Sequence, residues 1–435
     1  MQTRLSWGRY PRVPQTLHPV SWPGEVPEAL SSRLEAGTLG FGCGRSYGDS
    51  CLADSGHVIA MRGLDRFVEV DWQHGVVRAD AGITLGELIA LALPRGWFVP
   101  VTPGTKFVSL GGAVANDVHG KNHHVMGTFG RHVRRLVLHR SDEGLIECSR
   151  GERPELFAAT VGGLGLTGLI MEVELQLRPV NCGLISQRSI RFGNLEEFFA
   201  LSRQYDHAHE YTVAWIDCLA KGADVGRGHY IVGDHTDGDD TRPAPPGRLS
   251  MPVDPPFSLV NSLSLRAFNT LYYHRQRAKE VSSISGYDPF FYPLDKILSW
   301  NRMYGRRGFQ QYQCVVPSPV SQDAIRAMMT EISRSGMGSF LAVLKQCGDI
   351  ASPGLMSFPM EGASLALDFP QREPSISRLF ARLDAIVREA GGRLYPAKDA
   401  HMSAEHFRCA YPGWVQVEAL RDPALLSRFW KRVAL

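Results

Sequence analysis

No stretch of this chain is apolar for long enough to suggest a bilayer span. Its apolar segments, such as 85–93, are broken by Glu or Gly well short of the ~18 residues needed. The opening MQTRLSWGRYPRVPQ has no apolar core, so no signal peptide is expected. An excess of one charge is also missing. Forty-seven Lys and Arg face 44 Asp and Glu, leaving +3, with no run of like charge. That argues against a nucleic-acid partner and leaves only a weak pull toward an anionic surface, compatible with peripheral membrane contact. Paired cysteines are absent as well. The eight Cys stand at 43, 51, 148, 182, 218, 314, 347 and 409, with no C-x-x-C spacing. Structural zinc and a disulfide scaffold are both disfavoured, and buried free thiols in a reducing, cytoplasmic compartment are expected. Finally, no G-x-G-x-x-G opens a long helix and no G-x-x-x-x-G-K-[ST] occurs, so Rossmann and P-loop sites are weak readings.

What the chain does have is glycine: 44 in 435 residues, above the ~7% average. The excess gathers in three clusters within the first 170 residues: 38–49, 103–124 and 162–168. Between them lie expected strands at 58–61, 67–71, 75–79, 133–140, 145–149 and 169–177. A helix is expected over 84–93, with Thr84 as N-cap and Glu87 closing a capping box. A helix over 27–34 precedes them. From 179 the texture becomes ordinary. Strands are expected at 189–191, 211–217, 229–232, 311–316, 340–345 and 364–369, and helices at 195–204, 322–333 and 373–389. The fold class is α+β: a dense glycine-looped unit followed by a mainly antiparallel sheet with covering helices. Residues 236–260, rich in Pro, Gly and Asp, read as a mobile loop and a candidate lid.

Glycine lets backbone N–H groups approach a ligand with no Cβ in the way, and successive N–H groups form anion nests. One such loop is as readily a structural turn. Three within 130 residues point to an extended, pyrophosphate-bearing cofactor.

The stretches GCGRSYGDS (42–50), TPGTKFVSLGGAVANDVHGKNHH (102–124), GTFGRHV (127–133) and TVGGLGLTGLIM (160–171) resemble the PCMH-type FAD-binding domain of the vanillyl-alcohol-oxidase superfamily. Within it, YTVAWIDCLAKG (211–222), FFYPLDKILSWNRMYGRRGFQQYQ (290–313), LALDFP (365–370) and GGRLYPAKD (391–399) extend the likeness to the decaprenylphosphoryl-β-D-ribose 2′-oxidase family. The resemblance implies a discontinuous FAD-binding domain, 1–178 with 393–435, and a substrate domain at 179–392. It implies pyrophosphate contacts at Gly42, Gly44, Arg45, Ser46, Tyr47 and Gly48. The adenine–ribitol side and flavin edge would meet Gly104, Ser109, Gly111, Gly112, Asn116, Asp117 and His119, with Gly168, Ile170 and Tyr395 completing the cradle. Arg45 stands where many superfamily members carry a flavin-bonding His, so dissociable FAD is implied.

The same resemblance makes Lys398, His119 and Tyr47 the catalytic candidates, with Lys398 holding negative charge as hydride reaches the flavin. Lys121, Trp215, Gln311, Gln313 and Lys345 become substrate candidates. Read from residue type alone, each has a plainer alternative. A lone Lys is usually solvated, Trp215 is usually core, and alternating Gln on a strand usually faces water. His119 and Lys121 serve equally as loop-stabilising hydrogen-bonders. Metal binding at His119, His123 and His124 is disfavoured because two of them are adjacent. Ala366 replaces a Cys that actinobacterial members carry two residues before Asp-Phe-Pro, which loosens the assignment of the same substrate.

The implied activity is FAD-dependent oxidation of a sugar secondary alcohol, the C2 hydroxyl of a polyprenyl-phosphoryl pentose, in cell-wall or polysaccharide biosynthesis. A separate NAD(P)-dependent short-chain reductase would complete an epimerisation. An alditol or aldonolactone oxidase using oxygen, or a non-catalytic flavin-holding scaffold, are the competing readings.

Overall fold

The computed structural model describes residues 3–31, 37–245, 247 and 249–435. The helix expected over 27–34 is seen as Val26–Ser31, and its last expected residues lie outside the described set.

The glycine-rich third is built on two sheets. The smaller runs Thr3–Arg4, Gln15–Pro19, His57–Ala60, Leu39–Phe41 in spatial order, with its last three strands parallel. The larger is antiparallel, in the order Phe67–Asp71, Val76–Asp80, Leu169–Gln176, Val133–Arg140, Gly144–Ser149. The expected capping box is present. Thr84 accepts from the Glu87 amide, Glu87 accepts from the Thr84 amide, and the helix Leu85–Ala92 follows with Leu85, Leu88 and Ile89 buried.

The remainder folds around one eight-stranded sheet. Its spatial order is Glu280–Gly286, Leu184–Phe192, Gly228–His235, Tyr211–Ile216, Val343–Cys347, Gly362–Pro370, Phe309–Pro317, Arg393–Leu394. Every pairing in it is antiparallel. One face is sealed by Leu195–Tyr205, Ser321–Ser335 and Ser375–Glu389. The last buries Ile376, Leu379, Phe380, Leu383 and Val387, the stripe its 3.6-residue period predicts. The opposite face turns toward the glycine loops. Because strand side chains alternate, Tyr312 meets Phe380 under the helices while Gln311 and Gln313 point the other way.

Among the elements with no counterpart in the sequence expectations, two bear on the site. The helix Ser262–His274 buries only Leu265 and Asn269 and leaves Leu263 and Leu271 exposed, so its apolar residues do not form one stripe. The strand Glu280–Gly286 is a serine-rich sheet edge with no hydrophobic alternation to betray it.

The chain end returns to the first glycine cluster. Tyr47 donates its amide to the Ala397 carbonyl at 2.9 Å and Asp49 to that of Asp399 at 3.3 Å. The Arg432 guanidinium joins both carboxylates, reaching Asp49 at 2.9 Å and Asp399 at 2.8 Å. Segment 236–260 is tied at separate points. Asp254 pairs with Arg9 at 2.6 Å, and Leu249–Ser250 runs parallel to Ile297–Leu298.

Candidate active site

A cavity of about 670 Å³ lies between the glycine loops and the open face of the large sheet. That is the size range of an organic-ligand site. The strand Leu39–Phe41 delivers Gly42, Gly44, Arg45, Ser46 and Tyr47 to its wall. Gly44 sits at φ +61°, a left-handed conformation suited to glycine. Among the described residues, the amides of Cys43, Gly44, Arg45 and Ser46 donate to no protein acceptor. Four free N–H groups in a row, facing a cavity, fit a pyrophosphate. Gly48 does not line the cavity. A Cβ there would overlap the Asp399 carbonyl oxygen, so this glycine is needed for close packing against the returning C-terminal segment.

Gly104, Ser109, Gly111, Gly112 and Asn116 form the facing wall. Gly104 has open space where a Cβ would stand. Ser109 caps the short helix Leu110–Ala115 by accepting from the Gly112 amide at 3.2 Å. A Cβ on Gly42 would strike that same hydroxyl, so the first two loops close directly on one another. Asp117 departs from its expected place. It is fully buried behind the wall, where its carboxylate accepts from the Gly130 amide at 2.8 Å and from Ser352 and Ser357 at 2.5 and 2.6 Å. It therefore anchors the loop and does not face the cavity. Gly168, at φ +148°, Ile170 and Tyr395 complete this part of the lining. The Tyr395 hydroxyl donates to the Asn116 carbonyl at 3.0 Å.

At the sheet end, Lys398 Nζ stands 3.8 Å above the Tyr47 ring. Burial pushes this amine down to about 8, opposed by the nearby Asp368 carboxylate. Burial raises Asp368 to about 7, against a hydrogen bond from Gln311 at 2.7 Å and the charge of Lys398. Burial, and then Asp368, lifts the Tyr47 phenol well above its ordinary range. Gln313 Nε2 lies 3.1 Å from His119 Nε2. An amide nitrogen can only donate, so His119 accepts there and carries its proton on Nδ1, which is buried with no protein partner. Burial, aided by Lys345, His123 and Lys398, holds this imidazole well below its ordinary range and therefore neutral.

Lys345 and Lys121 approach from the sheet and the second loop. Lys345 Nζ donates to the Gly120 carbonyl at 2.6 Å, and Lys121 Nζ donates to that of Phe290. Burial pushes Lys121 down to about 7, and Lys345 downward too. Among the described residues, Lys121, Lys345 and Lys398 form no salt bridge with a carboxylate. Together with Arg45 and Arg275 they make the cavity basic, against Asp295, the single lining acid among the described residues. Trp215 lines the cavity, and its indole donates to the Phe340 carbonyl at 2.9 Å. Ala366 is at the wall as well.

Several lining residues were not singled out from the sequence: Trp7, Arg275, Phe290, Asp295 and Trp300. Trp7 belongs to an irregular arm with no periodicity to read, yet its amide donates to the Ser46 carbonyl at 2.9 Å and the Arg45 guanidinium stacks 4.0 Å over its ring. Arg275 follows the unexpected helix. Phe290 and Asp295 fell inside the 290–313 stretch, where only the resemblance offered a signal. No three His, Cys, Asp or Glu among the described residues gather as metal ligands. His124 instead pairs Nε2 with the His209 carbonyl at 3.0 Å.

A family model described as an FAD binding domain matches residues 28–149. Decaprenylphosphoryl-β-D-ribose oxidase of Mycolicibacterium smegmatis is 34% identical over 436 residues, covering 96% of this chain and 94% of that protein. An uncharacterized protein of Streptomyces coelicolor is 34% identical over 363 residues, covering 79% and 96% respectively. Mouse L-gulonolactone oxidase is 28% identical over 179 residues, only 40% of each chain.

Proposed function

The chain belongs to the decaprenylphosphoryl-β-D-ribose oxidase family, and on that premise we propose that it oxidises the C2 hydroxyl of a polyprenyl-phosphoryl pentose. It is an FAD-dependent oxidoreductase. The free amides of Cys43–Ser46 fit the pyrophosphate, and the neutral His119 and the Tyr395 wall fit a flat ring system beside Lys398. When bound, FAD supplies the hydride acceptor. In this reading Lys398 Nζ holds positive charge where negative charge develops, and Tyr47 fixes the amine from below. Gln311 and Gln313 present amides toward the sugar, and His119 orients Gln313 by accepting its amide at Nε2. FAD is held without a covalent bond, as Arg45 at the histidyl position suggests.

The observation that carries the substrate class is the charge of the cavity. Three buried lysines that form no salt bridge among the described residues suit an anion such as a sugar-linked phosphate, and they disfavour a neutral lactone or alditol. Residues 1–178 with 393–435 then act as the FAD-binding unit, and 179–392 as the substrate unit. A separate NAD(P)-dependent short-chain reductase returns the hydride, and the enzyme works in cytoplasm at the membrane where such lipids reside. The test is anaerobic flavin bleaching with prenyl-phosphoryl ribose, prenyl-phosphoryl arabinose, L-gulonolactone and alditols. Bleaching by the phosphoryl ribose is expected. Bleaching by the lactone or alditols alone would overturn the reading.

A further inference from the structure

More than half of the large hydrophobic side chains exposed among the described residues fall within 249–298. Leu263 is 77% exposed, Leu271 73% and Phe257 70%. They are neighbours in the fold. Leu249 pairs with Ile297, and Leu259 donates its amide to the Met303 carbonyl at 2.9 Å beside the start of the helix Ser262–His274. A monomer rarely leaves so much apolar surface together without a use for it.

Among the described residues, the exposed charges set among these side chains that have no ion-pair partner are of one sign. Arg266, Arg277, Lys296, Arg306 and Arg307 are exposed, and among the described residues none of them pairs with a carboxylate. The acids of the same stretch are engaged elsewhere. Asp254 pairs with Arg9, Asp288 with Lys106 and Glu280 with Arg188, while Asp295 is buried and accepts the Lys106 amide. Apolar side chains interleaved with unpaired cations are the composition of an interfacial, anionic-lipid-binding surface.

This surface shares its walls with the cavity. The helix Ser262–His274 turns Leu263 and Leu271 outward while its Tyr272, and Arg275 just after it, line the cavity. Pro293, Leu294 and Trp300 do the same beside the exposed Ile297 and Leu298.

We propose that the face built from 249–275 and 296–307 docks on an anionic phospholipid bilayer and presents the cavity mouth to a membrane-resident prenyl-phosphoryl sugar. The sugar-phosphate enters between Tyr272 and Trp300 while the prenyl tail stays in the bilayer. The proposal rests on the substrate reading above.

The experiment uses FAD-loaded full-length protein and vesicles of phosphatidylcholine with and without phosphatidylglycerol. Flotation of wild type with the anionic vesicles is expected, weakening with salt. L263E/L271E, and separately R266E/R306E, should each lower partitioning at least about tenfold, since removing one buried Leu contact or two surface cations is worth that much. Both variants should keep FAD and should oxidise a short-chain, water-soluble prenyl-phosphoryl ribose at the wild-type rate. They should lose turnover of the long-chain substrate in vesicles. Wild type that oxidises the soluble substrate but ignores anionic vesicles would overturn the docking proposal alone. Wild type that floats but oxidises neither substrate would overturn the substrate reading alone. A wild-type dimer that ignores vesicles and becomes monomeric in L263E/L271E would assign the face to a second copy of the chain, and would overturn the proposal as well.

Discussion

In the proposed reaction Lys398 is the cation beside the flavin, and Asp368 is the charge that bears on it. Lys398→Met should keep the fold and the FAD but slow substrate-dependent flavin reduction by 10²–10³, the ~3–4 kcal/mol a positioned cation contributes to a charged transition state. Stopped-flow reduction within about threefold of wild type, roughly the 0.5 kcal/mol of an ordinary surface change, would remove Lys398 from the mechanism. Asp368 acts on it from behind the wall. Burial favours the neutral amine and the Asp368 carboxylate favours the ammonium. If the ammonium is the working form, the rate falls as pH rises through about 8. Asp368→Asn removes the opposing charge, so the falling limb should move to lower pH. A limb that stays in place would uncouple Asp368 from Lys398. At this scale the motif Tyr-Pro-Ala-Lys made Lys398 legible, whereas Asp368 was not. Its role depends on the cross-strand register with Gln311 and on burial, neither of which residue type reveals. Asp117 and Gly48 show the reverse. Both sit within readable motifs, yet each serves packing one layer behind the cavity wall.

Elements with a strong period were readable because burial is one-sided in them. The helix Ser375–Glu389 and the capping box at Thr84 follow from spacing alone. The helix Ser262–His274 and the strand Glu280–Gly286 did not, because their apolar residues face outward. The joint between the first glycine loop and the C-terminal return, with partners at opposite ends of the chain, has no signal in local period or spacing; only the family resemblance implies it. That joint makes a testable claim. Gly48→Ala places a methyl against the Asp399 backbone carbonyl, which cannot swing aside as a side chain would. The expected cost is about 3 kcal/mol, the upper part of the overpacking range. FAD occupancy should fall with it, because the same loop carries the free amides at 43–46. Gly151→Ala, where nothing stands within 4 Å and φ is not positive, is the control for adding a methyl with no clash. Equal Tm and FAD content in the two variants would show that the joint with Asp399 is not what holds the loop.

At the scale of the molecule, the cavity proposed to hold FAD has walls from residues as far apart as Trp7 and Lys398. Ligand binding to such a site stabilises every segment that lines it, by RT ln(1 + [L]/Kd), or about 2.7 kcal/mol at a hundredfold excess over Kd. Acid or heat should release the FAD into the supernatant, because Arg45 offers no histidyl link. Flavin that stays with the precipitated protein would refute non-covalent binding. The apoprotein obtained this way then tests the discontinuous FAD-binding unit. Hydrogen exchange should quicken together at 39–49, 102–119 and 395–399 when FAD is removed, since the first and last are joined by the Tyr47–Ala397 and Asp49–Asp399 backbone bonds. The helix Ser375–Glu389, on the sealed face of the large sheet, should keep its protection. The 236–260 segment should exchange fast with or without FAD, because its Pro-, Gly- and Asp-rich composition buries little. Loss of protection at 39–49 with 395–399 unchanged would mean that the C-terminal return packs independently of the cofactor, and the two-part FAD-binding unit would have to be abandoned.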